Sequence, residues 1–138
     1  MQNPLQPSFL TASLLVASGG ALGSWLRLCV GRIWASAIGP VRAAAYPWGT
    51  LTVNVAGSLA MGLLIGWLAR HGHGGEATRL LLGVGVLGGF TTFSSFSLDI
   101  VTLIERGQTT VAISYLAASL VAGIAGLWLG LIIMRTAT

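Results

Sequence analysis

Four stretches of this chain carry no charged side chain at all: residues 1–26, 43–69, 80–98 and 107–134. Each is bounded by a charge, at Arg27, Arg42 and Arg70, Arg79 and Asp99, and Arg106 and Arg135. A helix that crosses a bilayer needs roughly 20 mostly apolar residues, and each stretch can supply one. The reading is therefore an all-α integral membrane protein of four transmembrane helices, at about residues 10–30, 48–68, 80–104 and 111–134. The 138 residues form a single four-span transmembrane domain, 1–138. Composition agrees: 7% of residues are charged and 54% apolar, whereas a soluble domain is about a quarter charged. Ten charges cannot clothe a water-facing surface.

The net charge of +4 rests on seven arginines. In a soluble protein that excess suggests nucleic acid. Here the arginines fall one or two to a loop, as interfacial anchors and partners of lipid phosphates. The single Cys29 excludes an intrachain disulfide and reads as a small packing residue. Residues 1–9 are uncharged and hold Pro4 and Pro7. With no basic segment ahead of it, the first apolar run is expected to be a retained helix rather than a cleaved signal.

Trp48 and Trp67 bracket the second span, 19 residues apart. At about 1.5 Å per residue that is roughly 28 Å, close to one hydrocarbon thickness, where indoles settle at both interfaces. Glycines repeat at helix-packing spacing: Gly19 with Gly23, Gly62 with Gly66, Gly126 with Gly130. Close backbone approach supplies much of helix association in lipid, so these pairs predict tight packing within a protomer or across an oligomer interface. With the N-terminus inside, Arg70, Arg79 and Arg135 lie on the inner side and Arg32, Arg42 and Arg106 on the outer. A balance of three against three gives the positive-inside rule no purchase, and counting Arg27 only tips it to three against four. A chain so balanced is a candidate for insertion both ways, forming a two-fold dimer of oppositely oriented copies; reporter fusions finding one C-terminal location would exclude it.

Polar groups in hydrocarbon mark function unless they pair, and they concentrate in the third span: Gly88-Gly89-Phe90-Thr91-Thr92-Phe93-Ser94-Ser95-Phe96-Ser97. Two glycines followed by two β-branched threonines make a poor helix interior. The helix is expected to break here at mid-membrane depth, presenting carbonyls and amides to a cavity or ion path. Phe93 and Phe96, three apart, share a helix face. Rings have electropositive edges, which suit a small anion, although membrane phenylalanines commonly face lipid or core. Thr50 and Asn54 stack at i, i+4 with Ser58 a turn further; Asn54 serves equally as interhelical glue or pore lining. Tyr115 and Ser119 repeat the spacing in the fourth span. Arg27, near the end of the first, draws anions or reaches toward lipid phosphates.

Two patterns carry no function. Gly83-Val84-Gly85-Val86-Leu87-Gly88 fits a dinucleotide-binding pattern, which has meaning only after a strand. His71 and His73, even with Glu76, are too few for a metal site. No nucleophile–base pair or paired carboxylates can be assembled, so the chain is not read as an enzyme.

The third-span run resembles the signature of the CrcB/Fluc fluoride channels. So do Gly19-Gly20-Ala21-Leu22-Gly23-Ser24-Trp25-Leu26-Arg27 and Pro47-Trp48-Gly49-Thr50-Leu51-Thr52-Val53-Asn54-Val55-Ala56-Gly57-Ser58. The three motifs come in family order and spacing. The resemblance implies an antiparallel dual-topology homodimer in the plasma (inner) membrane, with two fluoride pores and a central structural Na+. It implies that carbonyls of Gly88 and Thr91 from both protomers hold the Na+. Phe93 and Phe96 would offer ring edges to fluoride and Asn54 its amide, with Ser95 and Thr50 nearby. Tyr115 and Ser119 would continue the polar track, and Arg27 would stand near its mouth. Such channels export fluoride that enters as HF and dissociates inside. The chain departs from the pattern at Asp99, where glutamate is usual, at Gly123, where some members carry a hydroxyl, and at Leu28, often tyrosine.

Two other functions remain open on the residues alone. A dual-topology proton-coupled exporter of small cations needs a membrane carboxylate, for which Asp99 is the candidate. A non-transporting membrane scaffold subunit would depend on the glycine pairs and not on Phe93 or Asn54.

Overall fold

The computed structural model describes residues 6–71 and 75–136. Within them the backbone is helical throughout its regular elements. Helix α1 runs Phe9–Ile38, a short α2 Pro40–Ala45, α3 Trp48–His71, and α7 Thr109–Thr136. The third span is composite: α4 Gly75–Thr78, a π-helical stretch Arg79–Leu87, one α-turn α5 Gly88–Phe90, then α6 Phe93–Glu105 after an interruption. Four segments are long and apolar enough to cross a membrane, so the protein is a four-span, multi-pass membrane protein.

The boundaries follow local chemistry. Ser8 caps α1, its hydroxyl accepting the Thr11 N–H. The helix continues past residue 30 to Ile38, longer than the apolar run suggested, because no residue stops it before Gly39-Pro40. Gly39 has φ 83°, which a side chain resists, and Pro40 opens α2. After α6, the Gly107 N–H donates to the Ile104 carbonyl and Gln108 N–H to Leu103. With Gly107 at φ 73°, this is a Schellman closure that makes the expected turn at Glu105-Arg106-Gly107.

The spans pack in two pairs, α1 on the first half of the third span and α3 along α7. The glycines permit both crossings, and both lie within the protomer. A Cβ on Gly19 would meet the Leu81 carbonyl and the Gly85 Cα; one on Gly23 would meet the Val86 carbonyl and the Phe90 nitrogen. On the other seam, a Cβ on Gly62 would meet Leu127 and Gly130, and one on Gly130 would meet the Leu59 carbonyl. The third pair is split: Gly126 stands 3.4 Å by its Cβ position from the Val55 carbonyl, an ordinary contact. Most large apolar side chains, among them Leu10, Leu14, Ile124 and Trp128, lie on the outer surface, as a lipid-facing bundle requires. A small core of Phe96, Leu103, Ala112 and Tyr115 joins α6 to α7, with Tyr46 and Leu51 against it.

The π-helical stretch was not anticipated. It sits directly before the interruption, and wide turns of this kind recur beside functional sites. Gly83 and Gly85 are its buried residues; Gly85 sets backbone against Gly19 of α1, while Gly83 faces the side chains of Leu64 and Met61 on α3.

Candidate functional site

The third span leaves helical conformation at Thr91 (φ −78°, ψ 157°) and Thr92 (φ −153°, ψ 120°). The expected break is therefore present within the run, at its threonines, while Gly88 and Gly89 remain helical. What stops the helix is a side chain from elsewhere. In a continuing α-helix the Thr92 N–H would donate to the Gly88 carbonyl; instead it donates to Asn54 Oδ1 at 2.8 Å. Asn54 Nδ2 in turn donates to the Thr92 carbonyl at 3.1 Å. The Gly88 carbonyl thus loses its helical donor, and the Thr91 carbonyl leaves the helix direction.

Thr92 restarts the helix as the N-cap of α6. Its Oγ1 accepts the Ser95 N–H at 3.1 Å, donates to Ser95 Oγ at 3.1 Å and lies 3.3 Å from Ser94 Oγ. It is 7% exposed. Sequence reasoning did not single out Thr92. The signal was a threonine three residues before Ser95 at a helix restart, the spacing of a capping residue.

Two cavities of about 280 Å³ each meet at Thr92. One is lined by Asn54, Ser58, Met61, Thr91, Thr92 and Phe93. The other is lined by Arg27, Trp34, Thr50, Thr92 and Ser95, with Gly31, Ala43 and Gly49 closing it. Thr50 and Asn54, one turn apart on α3, therefore open into different cavities. The second cavity offers hydroxyls and one guanidinium, with no carboxylate on its wall among the described residues; the Trp34 indole N–H is already given to Thr52 Oγ1 at 2.9 Å. That donor set suits an anion.

The two phenylalanines part company. Their rings lie 5.9 Å apart, centre to centre, yet Phe96 is 7% exposed and Phe93 80%. Phe96 packs on the ring of Tyr115 at 5.4 Å, and Tyr115 meets Tyr46 edge-on at 5.7 Å. Tyr46 continues to Trp48 and Trp48 to Trp34. An unbroken aromatic file thus joins α6, α7, the start of α3 and the end of α1. Tyr46 in this file was not foreseen, because nothing in its local sequence separates it from an interfacial tyrosine.

Tyr115 is fully buried. Its hydroxyl donates to Asp99 Oδ2 at 3.2 Å and faces Thr50 and Ser119. Ser119 Oγ is buried and, among the described residues, has no hydrogen-bond partner. An orphaned hydroxyl in a span is costly unless something polar passes it. A further cavity of about 200 Å³ is lined by Asp99, the acceptor of the Tyr115 hydroxyl, with Thr102 and Arg106 among others. Arg106 Nη1 reaches the Ala44 carbonyl at 3.4 Å across it. Most of the turn holding His71 and His73 lies outside the described residues.

The chain is similar to known proteins over most of its length. The sequence model of the family described as "CrcB-like protein, Camphor Resistance (CrcB)" matches residues 14–131. A protein of Novosphingobium aromaticivorans named fluoride-specific ion channel FluC is 56% identical over 126 residues, covering 91% of this chain and 98% of that one. Proteins of the same name from Sphingopyxis alaskensis and Rhodospirillum centenum are 52% and 49% identical, over 87% and 90% of this chain and 92% and 95% of theirs.

Proposed function

The chain belongs to the CrcB family, and from that premise we propose that it is a passive, fluoride-selective ion channel and not an enzyme. In a bacterium such a protein resides in the plasma (inner) membrane. The observation that carries the reading is the pair of donor-lined cavities meeting at the broken third span, one holding Arg27 and no carboxylate. Fluoride is small and strongly hydrated, so a path for it must replace water with many closely placed donors. Asn54, Thr50, Ser95, Tyr115 and the unpartnered Ser119 supply amide and hydroxyl groups along such a path. Phe93 and Phe96 add ring edges. Arg27 raises the local anion concentration.

The working unit is an antiparallel homodimer with two pores. Two features support it: the even division of arginines between the two sides, and Phe93, a motif aromatic that a single protomer leaves 80% exposed beside the first cavity. A second copy packed there would cover it. Gly88 and Thr91 fit a small hard cation such as Na+, because the diverted Thr92 N–H leaves backbone carbonyl oxygen at a helix end, the type of donor unwound membrane helices give to Na+. One protomer offers too few such oxygens, so the shell would be shared between two. Bound there, the cation would neutralise carbonyl dipoles and fix the two breaks to each other.

The test is fluoride efflux from liposomes holding the purified protein, read with a fluoride electrode, with a potassium ionophore and a chloride control. Release that needs the ionophore, with no chloride counterpart, is the expected result. No release from well-folded protein would return the choice to a proton-coupled cation exporter or a scaffold subunit.

A further inference from the structure

The hydroxyl of Thr92 has one proton and two lone pairs, and its surroundings use all three. The proton goes to Ser95 Oγ. One lone pair takes the Ser95 N–H. With its own proton committed, Thr92 is the acceptor in its 3.3 Å contact with Ser94 Oγ. Both Thr92 backbone groups are held by Asn54. The residue is therefore saturated, and it contributes no donor of its own to the two cavities it separates.

Its effect falls on Ser95. A serine hydroxyl that could turn freely would present either its proton or a lone pair to the cavity it lines. Because Ser95 Oγ accepts from Thr92, its own proton is left to point away from Thr92, toward the space bounded by Thr50 and Arg27. We propose that Thr92 is a positioning residue that fixes Ser95 as a hydrogen-bond donor to the permeating anion. The inference deepens the channel reading and rests on it. Pre-oriented donors favour an anion because no reorientation is needed as it arrives.

The experiment is a double-mutant cycle on fluoride efflux in liposomes, using Ser95→Ala, Thr92→Val and the double variant, each first checked for wild-type elution on gel filtration. If Thr92 acts through Ser95, each single change lowers the flux about ten-fold, the scale of one hydrogen bond to a charged group, and the double variant is no slower than Ser95→Ala. Thr92→Ser recovers most of the flux. Thr92 as a plain helix cap predicts the reverse, since the Ser95 N–H survives in Ser95→Ala. The two losses would then multiply, and the proposal would be wrong. Wild-type flux in Ser95→Ala overturns it as well, whatever the Thr92 variants do. If neither Thr92→Val nor Thr92→Ala assembles, Thr92 is a folding residue and the positioning role is lost. Absence of flux in the wild-type protein is a different failure, that of the channel reading itself, and it removes the inference with it.

Discussion

Asn54 and Thr92 hold each other by two reciprocal hydrogen bonds, side-chain amide to backbone, 2.8 and 3.1 Å long and 38 residues apart in sequence. This places one asparagine of α3 where the next turn of the third span would have been. The interruption is therefore a tertiary contact as much as a local preference, and its loss has consequences at both ends of the pair.

Asn54→Ala leaves the Thr92 N–H and carbonyl without partners in a water-poor interior, at about 1–3 kcal/mol for each group left unsatisfied. The expected outcome is a lower melting temperature in detergent together with a fluoride flux reduced at least ten-fold. Flux and melting at wild-type levels would mean that the pair does not hold the break.

Phe93→Ile and Phe96→Ile should separate stability from conduction. Both are expected to depress fluoride flux without dissolving the proposed dimer. Phe96, 7% exposed and packed on Tyr115, should in addition lower protomer stability, by roughly 1–3 kcal/mol for a change of shape in a packed core. Phe93, 80% exposed in the protomer, should not. Thermal unfolding and efflux on the same preparations decide it; full flux in both variants would remove the rings from the path.

Neighbouring glycines should behave oppositely. A Cβ at Gly19 runs into backbone of Leu81 and Gly85, whereas one at Gly20 meets nothing closer than the Gly85 carbonyl at 4.0 Å. Gly19→Ala is expected to destabilise by about 1–3 kcal/mol or more, since backbone cannot step aside as a side chain can. Gly20→Ala should be tolerated. Folded yield and melting temperature read the contrast, and equal behaviour would contradict the α1 packing described above.

Asp99→Asn distinguishes passive conduction from proton-coupled exchange. The amide oxygen can still accept from Tyr115, so the bond at 3.2 Å is retained in kind, while the carboxyl proton carrier is gone. Fluoride efflux is expected to persist within a few-fold. An exporter that binds proton and cation alternately at this residue would lose transport entirely.

The break shows how far the sequence could be read. Gly88-Gly89 followed by Thr91-Thr92 signalled an interruption, and one is there. Propensity marks the whole run, and the hydrogen bonds of Asn54 select Thr92 within it. The stacking of Thr50 on Asn54 suggested one polar face, and Thr92 divides it between two cavities. Phe93 and Phe96 share one helix face in the sequence, yet packing buries one ring and exposes the other.

By itself the sequence determined that the chain crosses the membrane four times, roughly where, and which few polar residues each span carries. Those properties follow from partitioning side chain by side chain between water and hydrocarbon, and from a helical period that is local. Only the tertiary structure decided which polar groups share a cavity, that Thr92 is the hub between them, and that the Ser119 hydroxyl, among the described residues, faces Tyr115 without a hydrogen bond of its own. Those depend on how helices far apart in sequence are rotated against each other, which is fixed by close backbone approach at Gly19, Gly23, Gly62 and Gly130. Hydropathy carries no record of that rotation.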